Sequence, residues 1–277
     1  MEYAALYRMG VERLTAAGIE EAKLDARLLL EELCGTDRND LLVHGDRPVT
    51  EQQENSYVNY IELRSRHIPL QHITGYQEFM GLRFKVTPDV LIPRQDTETL
   101  VEEVLKNLHD GMRILDLCTG SGCILLSLLR YSNDCVGVGA DLSKKALAVA
   151  EENAGALELM AEFVQGDLFE PVNGKFEIIV SNPPYIPSNV IPTLMEEVRE
   201  HDPLMALDGK EDGLYFYREI TGKASEYLYP GGMLFLEIGC EQAGAVTELM
   251  KNAGYRDVTV CKDLAGHDRV VSGRYGG

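Results

Sequence analysis

The chain has 277 residues, a net charge of −19 and 45% hydrophobic residues, which is enough for one large or two modest folded domains. No apolar run approaches the roughly 18 residues of a membrane span, and Met1 to Arg8 has neither the basic stretch nor the apolar core of a secretory signal. Acidity with dispersed Lys and Arg disfavours a nucleic-acid clamp, which needs a basic surface.

The one compact basic cluster, Arg64-Ser65-Arg66-His67, is expected at a helix C-terminus, where cations complement the dipole. Six cysteines (Cys34, Cys118, Cys123, Cys135, Cys240, Cys261) are scattered with no Cys-x-x-Cys pair. They read as reduced cytosolic thiols, so a cytoplasmic protein without a metal site is expected.

Residues 1 to about 70 read as helical. Leu24, Leu28 and Leu29 share one face with Leu33 a turn further on, and Gly35 suits a C-cap. A second helix is predicted from about Glu51 to Arg66, burying Tyr57, Tyr60, Ile61 and Leu63 and stopped by Pro69. A connector over about 71–95 contains Tyr76 to Phe84, two short strands around Gly81.

From about Asp96 the pattern alternates. Strands are expected at Arg113–Leu117, Cys135–Ala140, Phe163–Val164, Ile178–Ser181 and Met233–Ile238, with helices at Cys123–Tyr131 and Lys144–Ala154, the latter capped by Ser143. Such alternation implies a mostly parallel, doubly wound sheet. Arg256–Val260 and Arg269–Ser272 are expected to add an antiparallel edge pair.

Two loops carry the chemistry. Asp116-Leu117-Cys118-Thr119-Gly120-Ser121-Gly122 joins the first strand of the sheet to its helix, and Gly120 and Gly122 permit a tight turn with close ligand approach. Asp141 ends the next strand nineteen residues beyond Gly122, where a carboxylate can accept from both ribose hydroxyls. The third glycine of a dinucleotide fingerprint is replaced by Leu125, so a nucleoside without a pyrophosphate is favoured.

The second loop, Asn182-Pro183-Pro184-Tyr185, follows the buried strand Phe176 to Val180. Two prolines remove two donors and fix φ, leaving a rigid display of carbonyls, one Asn amide and one aromatic face. A flat NH2 group can donate to the Asn182 oxygen and the Pro183 carbonyl while stacking on Tyr185. That grip by itself suits a base amine as well as a side-chain amide.

The glycine loop resembles that of the class I S-adenosylmethionine methyltransferases, with Cys118 in place of the first glycine, a substitution that implies no positive φ there. The likeness implies a Rossmann-like seven-stranded domain in which Cys118, Thr119, Gly120, Ser121, Gly122 and Asp141 hold the cofactor. Asp167 and Leu168 then meet the adenine, and Asn182 faces the methyl sulfonium.

The wider set of motifs resembles the peptide chain release factor glutamine methyltransferases, the HemK/PrmC family. It comprises Pro69 to Gly75, Val90 to Glu98, Ile114 to Gly122, Asn182 to Tyr185, Asp212 to Leu214 and Lys262 to Val271. The resemblance implies an all-helical domain (1–70) that docks the release factor, a linker with a β-hairpin (71–95) and a methyltransferase domain (96–277). It also implies methyl transfer from S-adenosylmethionine to the glutamine of the factor's Gly-Gly-Gln motif, leaving S-adenosylhomocysteine. In that role Asn182, Pro183, Pro184 and Tyr185 form the catalytic grip.

Gln95 and His267 depart from the family's usual proline and arginine. Asp96-Thr97-Glu98 after Arg94 fits the release-factor branch rather than the paralogues acting on a ribosomal protein. Arg94 and Glu98 are expected to serve as a salt bridge or cap. Rival readings are an adenine-amine nucleic-acid methyltransferase and a nonenzymatic S-adenosylmethionine-binding adaptor. No nucleic-acid or membrane partner is expected, and nothing in the sequence demands more than a monomer.

Overall fold

The computed structural model describes residues 1–276. It divides into two compact units, Met1–Gly75 with Met195–His201, and Tyr76–Leu194 with the chain from Asp202 onward.

The first unit is helical, with helices at Tyr3–Ala16, Ala22–Cys34, Arg38–Val43, Glu51–Arg64 and Leu70–Thr74, and the short helix Glu196–His201. Its core is Leu6, Leu14, Leu29, Leu30, Tyr57 and Ile61, and the Tyr57 hydroxyl donates to the Ala26 carbonyl at 2.9 Å. Thr50 and Gln53 form a reciprocal capping box that sets the start of the fourth helix.

One expectation changes here. Leu24 is exposed rather than on the buried face, because the packed stripe runs through Ala22, Ala26, Leu29 and Leu30. Arg64 stands in the last turn of the fourth helix, as expected of the basic cluster. It is buried, donating to Asp25 at 2.7 Å and to Glu197 at 2.6 Å. Burial pushes the Asp25 carboxyl up in pKa and the Arg64 contact pulls it back, so the pair is retained by mutual compensation.

The second unit opens with the hairpin β1 (Tyr76–Phe79) and β2 (Leu82–Lys85), antiparallel around Gly81. Phe79 and Phe84 anchor it in the core, and the Glu98 carboxylate accepts the Met80 N–H of the hairpin turn at 2.6 Å, a contact to a turn rather than the expected salt bridge or helix cap. The sheet contains β3 (Arg113–Leu117), β4 (Val136–Asp141), β5 (Ala161–Gln165), β6 (Phe176–Ser181), β7 (Leu228–Glu237), β8 (Tyr255–Lys262) and β9 (Asp268–Tyr275).

Their order is β5-β4-β3-β6-β7-β9-β8. The first five strands are parallel, and β9 pairs antiparallel with both β7 and β8. The predicted tail pair is present, with β9 inside the sheet and β8 at its edge.

Helices cover both faces. Tyr217, Ile220 and Ala224 pack one side; Leu100, Val104, Leu125 and Leu128 pack the other. Burial on both faces explains why β3 and β6 read as continuous apolar runs rather than alternating ones. The chain winds one way through β3, β4 and β5 and the other way through β6 and β7. The switch point therefore lies between the carboxyl ends of β3 and β6, where such sheets hold ligands.

Candidate active site

Beyond β3 the chain turns sharply. Cys118, Gly120 and Gly122 all have positive φ (59°, 56° and 78°). The expectation that Cys118 avoids the left-handed region is thus overturned. The turn keeps the geometry a glycine would adopt, and a side chain there carries a strain of about 1–2 kcal/mol. Thr119 donates its hydroxyl to Asp116 at 2.6 Å, and the Gly122 N–H closes back on the Thr119 carbonyl at 2.8 Å. Asp116 is fully buried, which pushes its carboxyl up to about 7, with Thr119 opposing the shift.

Asp141, ending β4, accepts the Gly120 N–H at 2.9 Å and the Ser143 N–H at 2.8 Å. Burial raises its pKa while those amides favour the charged form. One amide on each oxygen fixes the carboxylate's plane and leaves a lone pair on each for a further donor.

A cavity of about 180 Å³ lies over these strand ends. Cys118, Gly120, Asp141, Asp167, Leu168, Asn182 and Pro184 line it, and Asp89, Lys210 and Phe216 join them. Thr119 and Ser121 are buried behind the turn and do not line it, and Gly122 packs against Ala150.

Asn182 to Tyr185 leaves β6 opposite the glycine turn. Ser181, the residue before it, donates to the Leu117 carbonyl at 2.7 Å, tying the two strand ends together. The Asn182 Nδ2 donates to the Thr97 hydroxyl at 3.4 Å. The Tyr185 hydroxyl lies 3.5 Å from Glu237 Oε1, and burial, then the Glu237 charge, raise its pKa. Arg94 pairs with the buried Asp202 at 2.5 Å, the salt bridge expected of it.

The main chain of Tyr185 is held as firmly as its ring. Gln242 Nε2 donates to the Tyr185 carbonyl at 3.0 Å and to the Gly213 carbonyl at 3.2 Å, and Gly209 N–H donates to the Ile186 carbonyl at 2.8 Å. Gly213, at φ 73°, abuts the Tyr185 carbonyl oxygen so closely that a Cβ would collide with it. Gly213→Ala should therefore lower the melting temperature by roughly 2–8 °C, the equivalent of the left-handed strain alone. An unchanged melting curve would show that the loop yields freely.

Thr97, Glu237, Gln242 and Gly209 were not singled out from the sequence. Thr97 lies within the Val90 to Glu98 motif and Glu237 ends a predicted strand, yet neither position announces which loop it supports.

Residues 5–75 match the family model described as PrmC N-terminal domain, and residues 94–198 match the methyltransferase small domain. The release factor glutamine methyltransferase of Geobacter sulfurreducens is 43% identical over 95% of this chain and 93% of its own length. That of Moorella thermoacetica is 44% identical over 94% and 93%. The chain belongs to the release factor glutamine methyltransferase family.

A methyltransferase from Pyrococcus furiosus superposes with a TM-score of 0.54 at 16% identity, over 82% of this chain and 100% of that one, and shares the fold. The enzyme is a methyltransferase using S-adenosylmethionine as methyl donor, and the residues present fit that molecule. Asp89, Asp141 and Asp167 line the cavity, against Lys210 as the cation among its lining residues. Such a lining suits ribose hydroxyls and a sulfonium and opposes a pyrophosphate. No helix among the described residues is long and apolar enough to cross a membrane.

Proposed function

We propose that the protein methylates the side-chain amide nitrogen of the glutamine in the Gly-Gly-Gln motif of peptide chain release factors, supporting translation termination. The observation that carries this reading is the rigid Asn182 to Tyr185 grip at the end of β6, beside the cavity that Asp141 and Gly120 line. S-adenosylmethionine supplies a methyl group on a positively charged sulfur, a leaving group that departs as a neutral thioether.

The difficulty lies with the acceptor, because an amide nitrogen's lone pair is delocalised into its carbonyl. Accepting its two N–H groups at Asn182 Oδ1 and the Pro183 carbonyl orients the nitrogen for in-line attack and stabilises the positive charge that develops on it. Pro184 holds φ at the turn, and the Tyr185 ring offers an apolar face that excludes water. As the new bond forms the nitrogen becomes acidic and releases a proton.

On the donor side, Asp141 takes the ribose hydroxyls, Asp167 and Leu168 the adenine edge, and the turn from Cys118 to Gly122 the remainder of the nucleoside. The helical unit, which carries the PrmC N-terminal domain match, is the docking element for the release factor. A cytoplasmic monomer that makes no direct nucleic-acid contact is consistent with the net charge of −19.

Incubating the purified protein with labelled methyl donor and release factor, followed by peptide mass mapping, tests the assignment. Label is expected on the Gly-Gly-Gln peptide. Label on another peptide, on a ribosomal protein, or in nucleic acid alone would sink it.

A further inference from the structure

We propose that Glu237 is a positioning residue that sets the polarity of the amide grip, acting through the Thr97 hydroxyl on Asn182. This rests on the acceptor role given to Asn182 above and explains what enforces it.

A carboxamide can present either its oxygen or its NH2 to the cavity, and the two choices have opposite consequences. An incoming glutamine NH2 needs an acceptor. With Asn182 flipped, two donors would face each other and the grip would repel its substrate. Nothing in the side chain of Asn182 itself decides between these states, so a neighbour must.

That neighbour is Thr97, which is 2% exposed and whose Oγ1 accepts from Asn182 Nδ2 at 3.4 Å. A hydroxyl has one proton and two lone pairs, so Thr97 accepts from Asn182 dependably only if its proton is committed elsewhere. Glu237 provides that commitment. Its side chain is 2% exposed, the Thr97 hydroxyl faces it and favours its ionised form, and the Tyr185 hydroxyl approaches Oε1 at 3.5 Å. An ionised carboxylate only accepts. Both hydroxyl protons therefore turn toward Glu237, Thr97 keeps its lone pairs for Asn182, and Asn182 Oδ1 is left facing the cavity. Contacts of 3.4–3.5 Å are long, as catalytic hydrogen bonds often are before substrate draws the loop together.

The surroundings leave Glu237 free for this task. Oε2 has no hydrogen-bond partner among the described residues. Arg269, the nearby cation, is engaged by Asp263 at 3.0 Å and Asp96 at 3.2 Å, so it acts on Glu237 through its field. The Tyr217 hydroxyl is spent on the Glu237 backbone carbonyl at 2.9 Å. The charged and titratable groups around the carboxyl are thus Tyr185, Tyr217, Cys123, Arg269 and Asp96, with Thr97 as the neutral partner. Burial pushes Glu237 up to about 7, so the commitment is made above that pH and relaxed below it. A protonated Glu237 could donate to Thr97, release the Thr97 proton toward Asn182, and permit the flip.

The test compares the wild type with Glu237→Gln, Thr97→Val and Thr97→Ser, measuring kcat, KM and S-adenosylhomocysteine affinity with release factor as acceptor between pH 5.5 and 8.5. Glu237→Gln and Thr97→Val should each lower kcat roughly 10- to 100-fold, the scale of a misplaced catalytic contact, with cofactor affinity nearly unchanged. Thr97→Ser, which keeps the hydroxyl, should restore most of the rate. Wild-type kcat should rise with pH through a midpoint near 7, and Glu237→Gln should lack that rise.

A readout independent of turnover accompanies these. The Asn182 side-chain NH2 protons, assigned by their absence from an Asn182→Ala spectrum, should be protected from exchange in the wild type and lose protection in Thr97→Val. Wild-type kinetics in Thr97→Val, a retained pH rise in Glu237→Gln, or parallel loss of rate and cofactor affinity would each overturn the proposal. Failure of the wild type to methylate the release factor would instead remove the functional reading, and the exchange measurement would still decide the role of Glu237.

Discussion

Asn182→Ala should lower kcat roughly 100- to 1000-fold while leaving cofactor affinity within a few-fold of wild type. The magnitude is that of removing one preorganised hydrogen-bond partner from a charge-developing site. The asymmetry follows from the proposed roles. Asn182 lines the same cavity as Asp141 and Gly120, but on the proposed reading its oxygen takes the acceptor, while the ends of β3, β4 and β5 take the donor's nucleoside. Binding of S-adenosylhomocysteine by calorimetry and single-turnover methylation separate the two effects. Near wild-type turnover would discard the grip, and a matching collapse of affinity would make Asn182 a cofactor ligand first.

The mirror image is expected for Asp141→Ala. Losing charge-assisted hydrogen bonds to ribose hydroxyls should cost about 2–3 kcal/mol of binding, roughly a 30- to 150-fold rise in cofactor Kd, with kcat at saturating cofactor much less affected. A complication is that Asp141 also accepts the Gly120 and Ser143 amides, so its removal loosens the glycine turn. Asp141→Asn separates the contributions, since it keeps one oxygen able to accept from backbone. If both variants lost affinity only in proportion to their drop in cofactor-free melting temperature, the ribose role would fail. Unchanged affinity in Asp141→Ala would contradict it outright.

Much of this site was legible before any coordinates. The glycine turn and Asp141 announce themselves because backbone geometry demands particular residues at fixed offsets from a strand end, and Asn182 to Tyr185 because consecutive prolines leave few conformations. Parallel strands buried on both faces are equally plain, as unbroken apolar runs. What stayed hidden is whatever depends on chain segments distant in sequence. Thr97 contacts Asn182 and Glu237 contacts Tyr185 although 85 and 52 residues separate the partners, and no local pattern encodes those contacts.

Arg64 shows the same limit. Its place at a helix C-terminus follows from the sequence, while its buried partners Asp25 and Glu197 come from elsewhere in the chain. Cys118 shows the opposite failure. A side chain at a glycine position invites the inference that the backbone has relaxed, whereas the turn instead imposes φ 59° on it. The demand of the Thr119 and Gly122 hydrogen bonds outweighs about 1–2 kcal/mol of local strain.

The paired acceptors proposed for the proline loop bear on what happens after transfer. On that reading a primary amide brings two N–H groups to Asn182 Oδ1 and the Pro183 carbonyl and satisfies both. Once methylated, the nitrogen would retain one, so one acceptor in a desolvated pocket would lose its partner, at a cost of about 1–3 kcal/mol. The same feature that draws the substrate in would thus loosen the product's hold and disfavour its return for a second methyl, making a single transfer a matter of donor counting rather than of a steric wall.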